Sequence, residues 1–406
     1  MGIESWTAVR SQGRVRIRKQ LWYRGPVHRL DIAEALQLSL PAVTNVINEF
    51  IQNGTATEMK AQTNGKRLGR KANLVDIQPR AKLFIGAEMR RDSRCVCLTD
   101  YRGTILRCFE DTTSYPAYSD NIQALQRLLL QLEQEPGFSM KEVHSVGIAV
   151  PGVIDTEKGV LSSHAVYGWY NCAVAEDIQK LTGWTLPIIV ENDACARAFG
   201  TRMLRRKQMS QVNRFAYLFI ARGLSCPLVP CMPTDVGNPL GIGELGYMVL
   251  QADTALSSDR IAGHVSDLAG ERAIMDRCHR LMREEQAPIL HDICGGYTRP
   301  TIPQILEAQA RGETSVQQVL TTAFEYLAIA TANVCNLVQP DMIFVDSRLF
   351  HTHQNQEILT QTIRKFLVAS HNTEPAFEFI ESDVHNGARC AALCAIRHEL
   401  DQYEEA

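Results

Sequence analysis

One stretch of this chain, residues 24–71, carries an ordered series of local structure signals that few folds can accommodate. Residues 29–36 have apolar side chains at helical spacing, and a short turn follows. Ser39 is a good N-cap for a second helix, and Pro41 falls in its first turn, where the missing N–H costs nothing. Gly54 then stops that helix. The order predicts two helices joined by a tight turn.

The segments after the second helix predict a wing. Residues 55–59 and 72–77 have strand character, and the glycine-punctuated stretch 64–71 between them is basic. Taken alone, each piece more often belongs to an ordinary surface structure than to a binding module. In this order they predict a winged helix-turn-helix, whose basic tip supplies candidates for phosphate or minor-groove contacts. Those candidates are Lys66, Arg67, Arg70 and Lys71.

The second helix has two different faces. Its apolar face consists of Val43, Val46, Ile47, Phe50 and Ile51. The opposite face is short, polar and uncharged, which suits base edges in a major groove. The side chains predicted to read bases are Ser39, Thr44, Asn45 and Asn48.

Charge is distributed unevenly along the chain. Residues 1–82 hold fourteen Lys and Arg against six Asp and Glu, a net charge of +8, whereas the remaining residues carry −11. A basic head joined to an acidic body is typical of a module that binds polyanions. The sequence therefore predicts double-stranded DNA as a partner.

Length and composition limit the remaining possibilities. With 406 residues and 45% hydrophobic content, the chain can bury a large core and should divide into two or three domains. No signal peptide or long apolar run is present, so we expect a cytoplasmic protein with no membrane segment. The twelve cysteines lack paired zinc-site spacing, which indicates buried thiols.

The long remainder has an α/β pattern. Apolar segments at 83–89, 94–98 and 103–108 precede an amphipathic helix at 121–133 and a buried strand at 146–150. This order matches one half of an actin-like ATPase domain. A second copy of the mixed pattern follows, with strands at 186–190, 216–220 and 342–345 and a long apolar helix at 315–337.

Four segments in order resemble signatures of the ROK family (repressors, open reading frames and sugar kinases). They are residues 146–160, 190–194, 241–246 and 333–345. With the winged helix in front, the chain resembles the transcriptional-regulator branch of that family. The resemblance implies an α/β fold in which a winged helix-turn-helix precedes a two-lobed actin-like, sugar-kinase-like body.

The nucleotide motifs of the family's kinases are altered in this chain. Such loops need glycines, because a Cβ would block the approach of the backbone to phosphate. The first loop corresponds to residues 88–93, which contain no glycine, and the second to 221–226, which retain one. The late glycine pair corresponds to Asp346 and Ser347. We therefore expect no enzymatic phosphoryl transfer and no cofactor.

The resemblance also indicates an effector site. Asp193 matches the kinases' catalytic base, and Glu244 matches a glutamate that contacts the sugar. Asn192 and Asp193 either bind a sugar hydroxyl, or Asp193 only caps the helix that follows. Tyr247 stands where the family has a histidine that binds both sugar and zinc, and the following zinc cysteines are missing, so no metal site is expected. The predicted effector residues are Asn192, Asp193, Glu244 and Tyr247.

Two further features allow alternative interpretations. Trp169 and Tyr170 either stack on a sugar or belong to the core, and the core is favoured for these aromatic residues. The basic stretch 202–207 is interpreted as a solvated helix end rather than a nucleic-acid patch.

These observations predict a sequence-specific regulator, a repressor of carbohydrate-metabolism genes whose body senses a sugar or sugar derivative. Residues 1–80 form the DNA-binding domain, 81–200 the first lobe, and 201–406 the second lobe with C-terminal helices partly returning to the first. A homodimer or homotetramer would read a palindrome. Two alternatives stay open: a sugar kinase with a regulatory head, and a regulator whose body only dimerises or docks a protein partner.

Overall fold

The structure, a computed structural model, describes most of the chain. The described residues are 3–60, 73–221, 223–231, 243–251, 263–368, 374–381 and 383–402, with the backbone alone for 3–11. They form two compact units, the first made of residues 1–208 with 384–406 and the second of residues 209–383. The predicted division into three domains stays a prediction.

The N-terminal part of the first unit is a helix-turn-helix followed by strands. Its elements are α1 (Ile3–Arg24), β1 (Val27–His28), α2 (Arg29–Leu36), α3 (Leu40–Gln52), β2 (Ala56–Met59) and β3 (Leu74–Ile77). The three strands form an antiparallel sheet in the order β1-β3-β2. The predicted helices, turn and strand pair are confirmed, whereas Lys66, Arg67, Arg70 and Lys71 lie outside the described residues.

Local sequence explains how the two helices are joined. The Ser39 hydroxyl accepts a hydrogen bond from the backbone N–H of Ala42 at 3.4 Å, which is the predicted N-cap. Gln37 adopts a left-handed conformation (φ 54°) at the end of α2. Val43, Ile47 and Phe50 are buried on the inner face of α3.

The second part of the first unit is built on a five-stranded sheet. Its strands are β4 (Leu83–Met89), β5 (Arg94–Asp100), β6 (Ile105–Asp111), β7 (Val143–Val150) and β11 (Ile188–Asn192), in the order β11-β7-β4-β5-β6. A small antiparallel sheet contains β8 (Val153–Asp155), β9 (Val160–His164) and β10 (Trp169–Cys172). The helices are α4 (Tyr118–Glu133), α5 (Val174–Thr182), α6 (Asp193–Leu204), α7 (Arg206–Met209) and α14 (Asn386–Asp401).

The C-terminal helix α14 packs directly on this sheet. It can approach closely because the facing strand positions are Gly86 and Gly147, where a Cβ would overlap backbone atoms of the helix. Gly200 in α6 faces Cys390 of α14 in the same way. Small residues therefore bring α6, α14 and the sheet into close contact.

The second unit is built on a five-stranded sheet of its own. Its strands are β12 (Arg214–Ile220), β13 (Leu224–Ser225), β14 (Leu228–Pro230), β15 (Met342–Asp346) and β16 (Ala376–Phe379), in the order β13-β12-β15-β16 with β14 paired to β12. The helices are α8 (Val265–Ala269), α9 (Glu271–Arg283), α10 (Pro288–Cys294), α11 (Ile302–Ala310), α12 (Thr314–Val338) and α13 (His353–Phe366). Residues of α12, including Phe324 and Leu327, are central to its apolar core.

Side-chain burial tests several predictions. Trp169 is 3% exposed and donates its indole N–H to the Pro116 carbonyl at 3.0 Å, which confirms its place in the core. The same prediction is wrong for Tyr170, which is 58% exposed. All twelve cysteines are free thiols, and ten are buried, as predicted. The interpretation of residues 202–207 as a solvated helix end is wrong for Arg202, which is buried.

Within the described part of the chain, no helix is long and apolar enough to span a membrane.

Candidate DNA interface and effector site

The polar face of α3 is accessible. Ser39, Asn45 and Asn48 are exposed, and Thr44 is half-buried. Asn45 and Asn48 lie on the side of the helix opposite the buried Val43, Ile47 and Phe50. Thr44 lies at the flank of that face, and Ser39 caps the N-terminus of the helix. The structure therefore places the predicted base-reading residues together on one accessible surface.

Asn48 also belongs to a small polar network. The Arg29 guanidinium donates to the Asn48 carboxamide oxygen at 3.2 Å and forms an ion pair with Glu58. The hydrogen bond from Arg29 to the Glu58 carboxylate holds the pKa of Glu58 below its usual range. Residues from α2, α3 and β2 are thereby linked at the surface that α3 exposes.

The N-terminal module is attached to the body sheet through α1. Trp22 is fully buried and donates its indole N–H to the Tyr101 carbonyl at 2.8 Å. The Arg18 side chain, 2% exposed, donates to the last carbonyls of α14. The acceptors are the carbonyl oxygens of Glu399, Leu400 and Gln402, at 2.9, 3.3 and 2.6 Å.

In the first unit, the predicted effector residues Asn192 and Asp193 lie at the start of α6. Asn192 is the N-cap: its oxygen accepts from the N–H groups of Ala194 and Cys195 at 2.9 and 3.1 Å. Its amide nitrogen donates to the Gly152 carbonyl at 2.9 Å. The interpretation of Asp193 as the helix cap is therefore wrong, since the helix begins at Asp193 itself.

Asp193 belongs to a buried cluster of four charges. Arg90 Nη2 lies 3.3 Å from Asp193 Oδ2 and 3.0 Å from Glu88 Oε1, and Arg197 Nη2 lies 2.8 Å from the same Glu88 oxygen. Glu88 lies in β4 and Arg90 directly follows that strand, within residues 88–93, which the resemblance predicts to match the first phosphate loop of the kinases. An ion cluster thus occupies that part of the first unit.

The cluster shifts the pKa values of both of its carboxyl groups, in opposite directions. Burial raises the pKa of Asp193 above its usual range, against the effect of the Arg90 guanidinium. Burial acts in the same direction on Glu88, yet the charges of Arg197 and Arg90 hold the pKa of Glu88 below its usual range. Glu88 is therefore the firmly ionised member, because it faces two guanidinium groups.

In the second unit, Glu244 directly precedes a short 3-10 turn (Leu245–Tyr247), and Tyr247 is the last residue of that turn. Glu244 is exposed, and Tyr247 is 59% exposed with its ring edge toward His264 at a centroid distance of 5.7 Å. Asp267 lies 3.7 Å from Nδ1 of that histidine. Among the residues that the structure describes, no group of three or more His, Cys, Asp or Glu could hold a metal ion.

Asp346 and Ser347, which the resemblance predicts to match the late glycine pair of the kinases, both make hydrogen bonds through their side chains. Asp346 is buried and accepts a hydrogen bond from the Tyr217 hydroxyl at 2.7 Å. Ser347 uses its own hydroxyl to accept from the Leu349 N–H at 3.2 Å. Both side chains are committed to bonds within the protein.

Of the four residues in the buried cluster, the sequence predicted only Asp193 as a site residue. Glu88, Arg90 and Arg197 were missed. The signal was available for Arg197, because it lies four residues after Asp193 and hence on the same helix face.

A family model described as the ROK family matches residues 84–398. The chain belongs to the ROK family. The xylose repressor of Caldicellulosiruptor bescii is 23% identical over 328 residues, which cover 79% of each chain. The transcriptional repressor Mlc of Escherichia coli is 20% identical over 335 residues, which cover 80% of this chain and 78% of Mlc.

Solved ROK structures share the fold. A ROK transcriptional regulator described as a homologue of E. coli Mlc superposes with a TM-score of 0.74 at 22% identity, over 97% of this chain and 96% of its own. A ROK glucokinase from Streptomyces griseus, solved with glucose and AMPPNP, gives a TM-score of 0.64 at 19% identity. That match covers 77% of this chain and 98% of the glucokinase, so the actin-like α/β body is common to both.

Proposed function

We propose that this ROK protein is a sequence-specific DNA-binding transcriptional regulator, a repressor of carbohydrate-metabolism genes. The observation that carries the proposal is the exposed polar face of α3, which is capped by Ser39 and set within a basic N-terminal segment. The relatives named as repressors support the same assignment. In this assignment Ser39, Thr44, Asn45 and Asn48 read bases.

The basic residues between β2 and β3 complete the proposed interface. Lys66, Arg67, Arg70 and Lys71 would contact phosphates or the minor groove. The protein would act as a homodimer or homotetramer, since one recognition helix reads too few bases for useful specificity. Residues 1–80 would be the DNA-binding domain, 81–200 the first lobe and 201–406 the second.

We further propose that the body performs no phosphoryl transfer. Asp193 accepts from Arg90 through one oxygen and from the Ala194 N–H at 3.0 Å through the other, so both oxygens are engaged. The buried bond between Tyr217 and Asp346 likewise fills a segment that corresponds to a nucleotide motif. The rival function, a sugar kinase with a regulatory head, is favoured by the retained Asp193 and requires ATP-dependent phosphorylation of a hexose that Asp193→Asn abolishes.

The body would instead sense a sugar or sugar derivative through Asp193, Glu244 and Tyr247, because each engaged Asp193 oxygen keeps a lone pair that can accept from a hydroxyl. Asn192 would contribute only its second amide hydrogen, because its other polar groups cap α6 and hold Gly152. Thermal unfolding with a panel of sugars and sugar phosphates tests this role. Stabilisation that Asp193→Asn removes supports sensing. No stabilisation by any sugar would leave a body that only dimerises or docks a protein partner.

Binding of the full-length chain to fragments of its host genome tests the DNA assignment. We expect Asn45→Ala to weaken specific binding about tenfold and to relax the preference at one position. Arg70→Ala should weaken binding to all sequences and lower the salt slope by about one.

Arg107→Ala is the matched control, because it removes the same charge from an exposed position of β6 in the body. It should bind like the wild type. Equal DNA binding by wild type, Asn45→Ala and Arg70→Ala would contradict the assignment of these residues to a DNA interface.

A further inference from the structure

In the second unit, the segment 295–299 is bonded to the outer face of α9 at two points. His279 Nε2 lies 2.9 Å from the Tyr297 carbonyl oxygen, and the Arg299 guanidinium forms an ion pair with Asp276 at 2.7 Å. A carbonyl oxygen only accepts, so Nε2 of His279 carries the hydrogen of the first bond. The two bonds hold the segment against the helix.

A cavity of about 420 Å³ is lined by residues from both of these elements. The lining residues are His279, Arg283 and Tyr297. His279 and Arg283 share one face of α9 because they are four residues apart, and Tyr297 comes from the bonded segment. The cavity falls within the range of about 300–1,000 Å³ that small-molecule sites occupy, so it has room for one small ligand.

The three lining side chains offer different contacts. Arg283 is exposed, and within the described part of the chain no ion pair or hydrogen bond engages its guanidinium. Because Nε2 of His279 is used, Nδ1 is left for a ligand: it accepts from a hydroxyl when the ring is neutral and donates to an anion when the ring is protonated. Tyr297 is 55% exposed, and its ring packs against that of His291 at a centroid distance of 4.6 Å.

The charges on this face of α9 favour an anion. Four polar residues follow one another along it at intervals of four, three and four: Arg272, Asp276, His279 and Arg283. Arg299 adds a further positive charge beside Asp276. The face therefore carries three guanidinium groups and a single carboxylate, and Arg283 is the guanidinium that lines the cavity.

Three other carboxylates are close in sequence but do not line the cavity. Glu284 and Glu285 follow Arg283 at the end of α9, and Asp292 lies 3.6 Å from Nδ1 of His291. All three are exposed, so water and salt weaken their repulsion of a bound anion. Arg283 therefore remains the dominant charge for a ligand inside the cavity.

These contacts identify the chemical class of the ligand. A guanidinium binds the oxygens of a phosphate or a carboxylate through paired N–H donors. The Tyr297 ring offers a flat apolar surface to the C–H face of a sugar ring, and His279 can bond a sugar hydroxyl. A neutral sugar would leave Arg283 without a counter-charge, and a small inorganic anion would leave Tyr297 uncovered.

We propose that this cavity binds an anionic monosaccharide, a sugar phosphate or a sugar acid, with its anionic group on Arg283 and its ring on Tyr297. The inference goes beyond the proposed function. It assigns a ligand to residues other than Asp193, Glu244 and Tyr247, and it does not require DNA binding.

Isothermal titration calorimetry of the full-length protein without DNA tests the site. The probes are two sugar phosphates, glucose 6-phosphate and fructose 6-phosphate, and two sugar acids, glucuronate and galacturonate. Glucose and inorganic phosphate are the references, at the same ionic strength. We expect at least one anionic sugar to bind about tenfold more tightly than either reference. Whether it is a phosphate or an acid identifies the anionic group.

Variants of the lining residues test the assignment of contacts. Arg283→Met should reduce the affinity about tenfold or more, because it removes the guanidinium and keeps most of the side-chain length. Its melting temperature without ligand should equal that of the wild type, since Arg283 has no partner within the described residues. Tyr297→Ala should weaken binding several-fold. Arg107→Met removes the same charge from β6 of the first unit and should bind like the wild type.

Asp193→Asn distinguishes this cavity from the proposed effector site. Loss of anionic-sugar binding in Arg283→Met but not in Asp193→Asn supports the cavity. Loss in Asp193→Asn alone would place the ligand at the effector site, which overturns this inference and leaves sugar sensing intact. The inference also fails if no anionic sugar binds the wild type more tightly than glucose and inorganic phosphate do. Neither result affects the DNA assignment.

Discussion

At the residue scale, what a polar side chain can do is decided by the bonds that it already makes. Asn48 and Asn192 are chemically identical, yet one presents an NH2 group at an exposed surface and the other is used to cap α6. The same reasoning applies to Asp193, whose carboxylate is paired with Arg90. Residue type therefore predicts a candidate, and the hydrogen-bond partners determine its role.

The four-charge cluster leads to a stability prediction. Arg90→Met leaves the buried carboxylates of Glu88 and Asp193 with Arg197 as the remaining partner, and we expect a loss of about 3–5 kcal/mol in the free energy of unfolding at pH 7. Urea denaturation measures this loss. Arg107→Met removes a surface pair with Glu135 at 3.7 Å and should cost less than about 1 kcal/mol.

The sign of the pH dependence follows from the raised pKa of Asp193. A carboxyl whose pKa is higher in the folded state costs stability while ionised, and that cost disappears as the pH falls through the folded pKa. Arg90→Met raises this pKa further, so the stability gap between variant and wild type should narrow on acidification toward about pH 4. A stability gap that stays constant from pH 8 down to about pH 4 would contradict a penalty from unpaired buried charge.

At the scale of elements, the sequence predicted those whose pattern is local. The helices α2 and α3, the cap at Ser39 and many of the strands follow from periodicity and capping signals. The strands predicted in this way are β2–β7, β11, β12 and β15. The helix α1 was missed, because arginines interrupt its apolar residues and one of them, Arg18, is itself buried. A buried arginine depends on carbonyls supplied from the other end of the chain, which local pattern cannot reveal.

The predicted buried face of α2 was partly wrong. Leu30 has helical spacing with Ala33 and Leu36 but is 52% exposed, and Ile32 is buried instead. The neighbouring elements decide which face of so short a helix is covered. Likewise, the sequence placed polar residues on α3 but gave no sign that Arg29 holds Asn48, since that contact needs the angle between two helices.

Close packing between α6 and α14 gives a prediction at this scale. Gly200→Ala adds a Cβ that overlaps Cys390, so we expect a loss of about 1–3 kcal/mol although alanine favours helices. Gly13 lies inside α1 with nothing near its added Cβ, and Gly13→Ala should stabilise the chain by about 0.5–1 kcal/mol. Scanning calorimetry compares the two melting temperatures. Shifts of the same sign would show that the helices have room to separate.

At the scale of the whole molecule, α14 connects the two functional regions of the first unit. Near its N-terminal end, Gly387 leaves no space for a Cβ beside the Glu88 carboxylate of the buried cluster. At its C-terminal end, its last carbonyls accept hydrogen bonds from Arg18 of α1. The helix α14 thus lies between the buried cluster and the module that carries the proposed reading surface, which gives the proposed effector signal a physical route.

Arg18 anchors α1 to the C-terminal end of α14. Arg18→Met leaves buried carbonyls at the end of α14 without their donor, so we expect amide hydrogen exchange in that last turn and in α1 to accelerate about tenfold or more. Arg16→Met is the matched control, because Arg16 donates to the Leu36 carbonyl within the N-terminal module. Arg18→Met should still select the wild-type operator, since Arg18 lies away from the polar face of α3. Unchanged exchange at the end of α14 in Arg18→Met would mean that the module is held by Trp22 and its neighbours, and that α14 does not carry the connection.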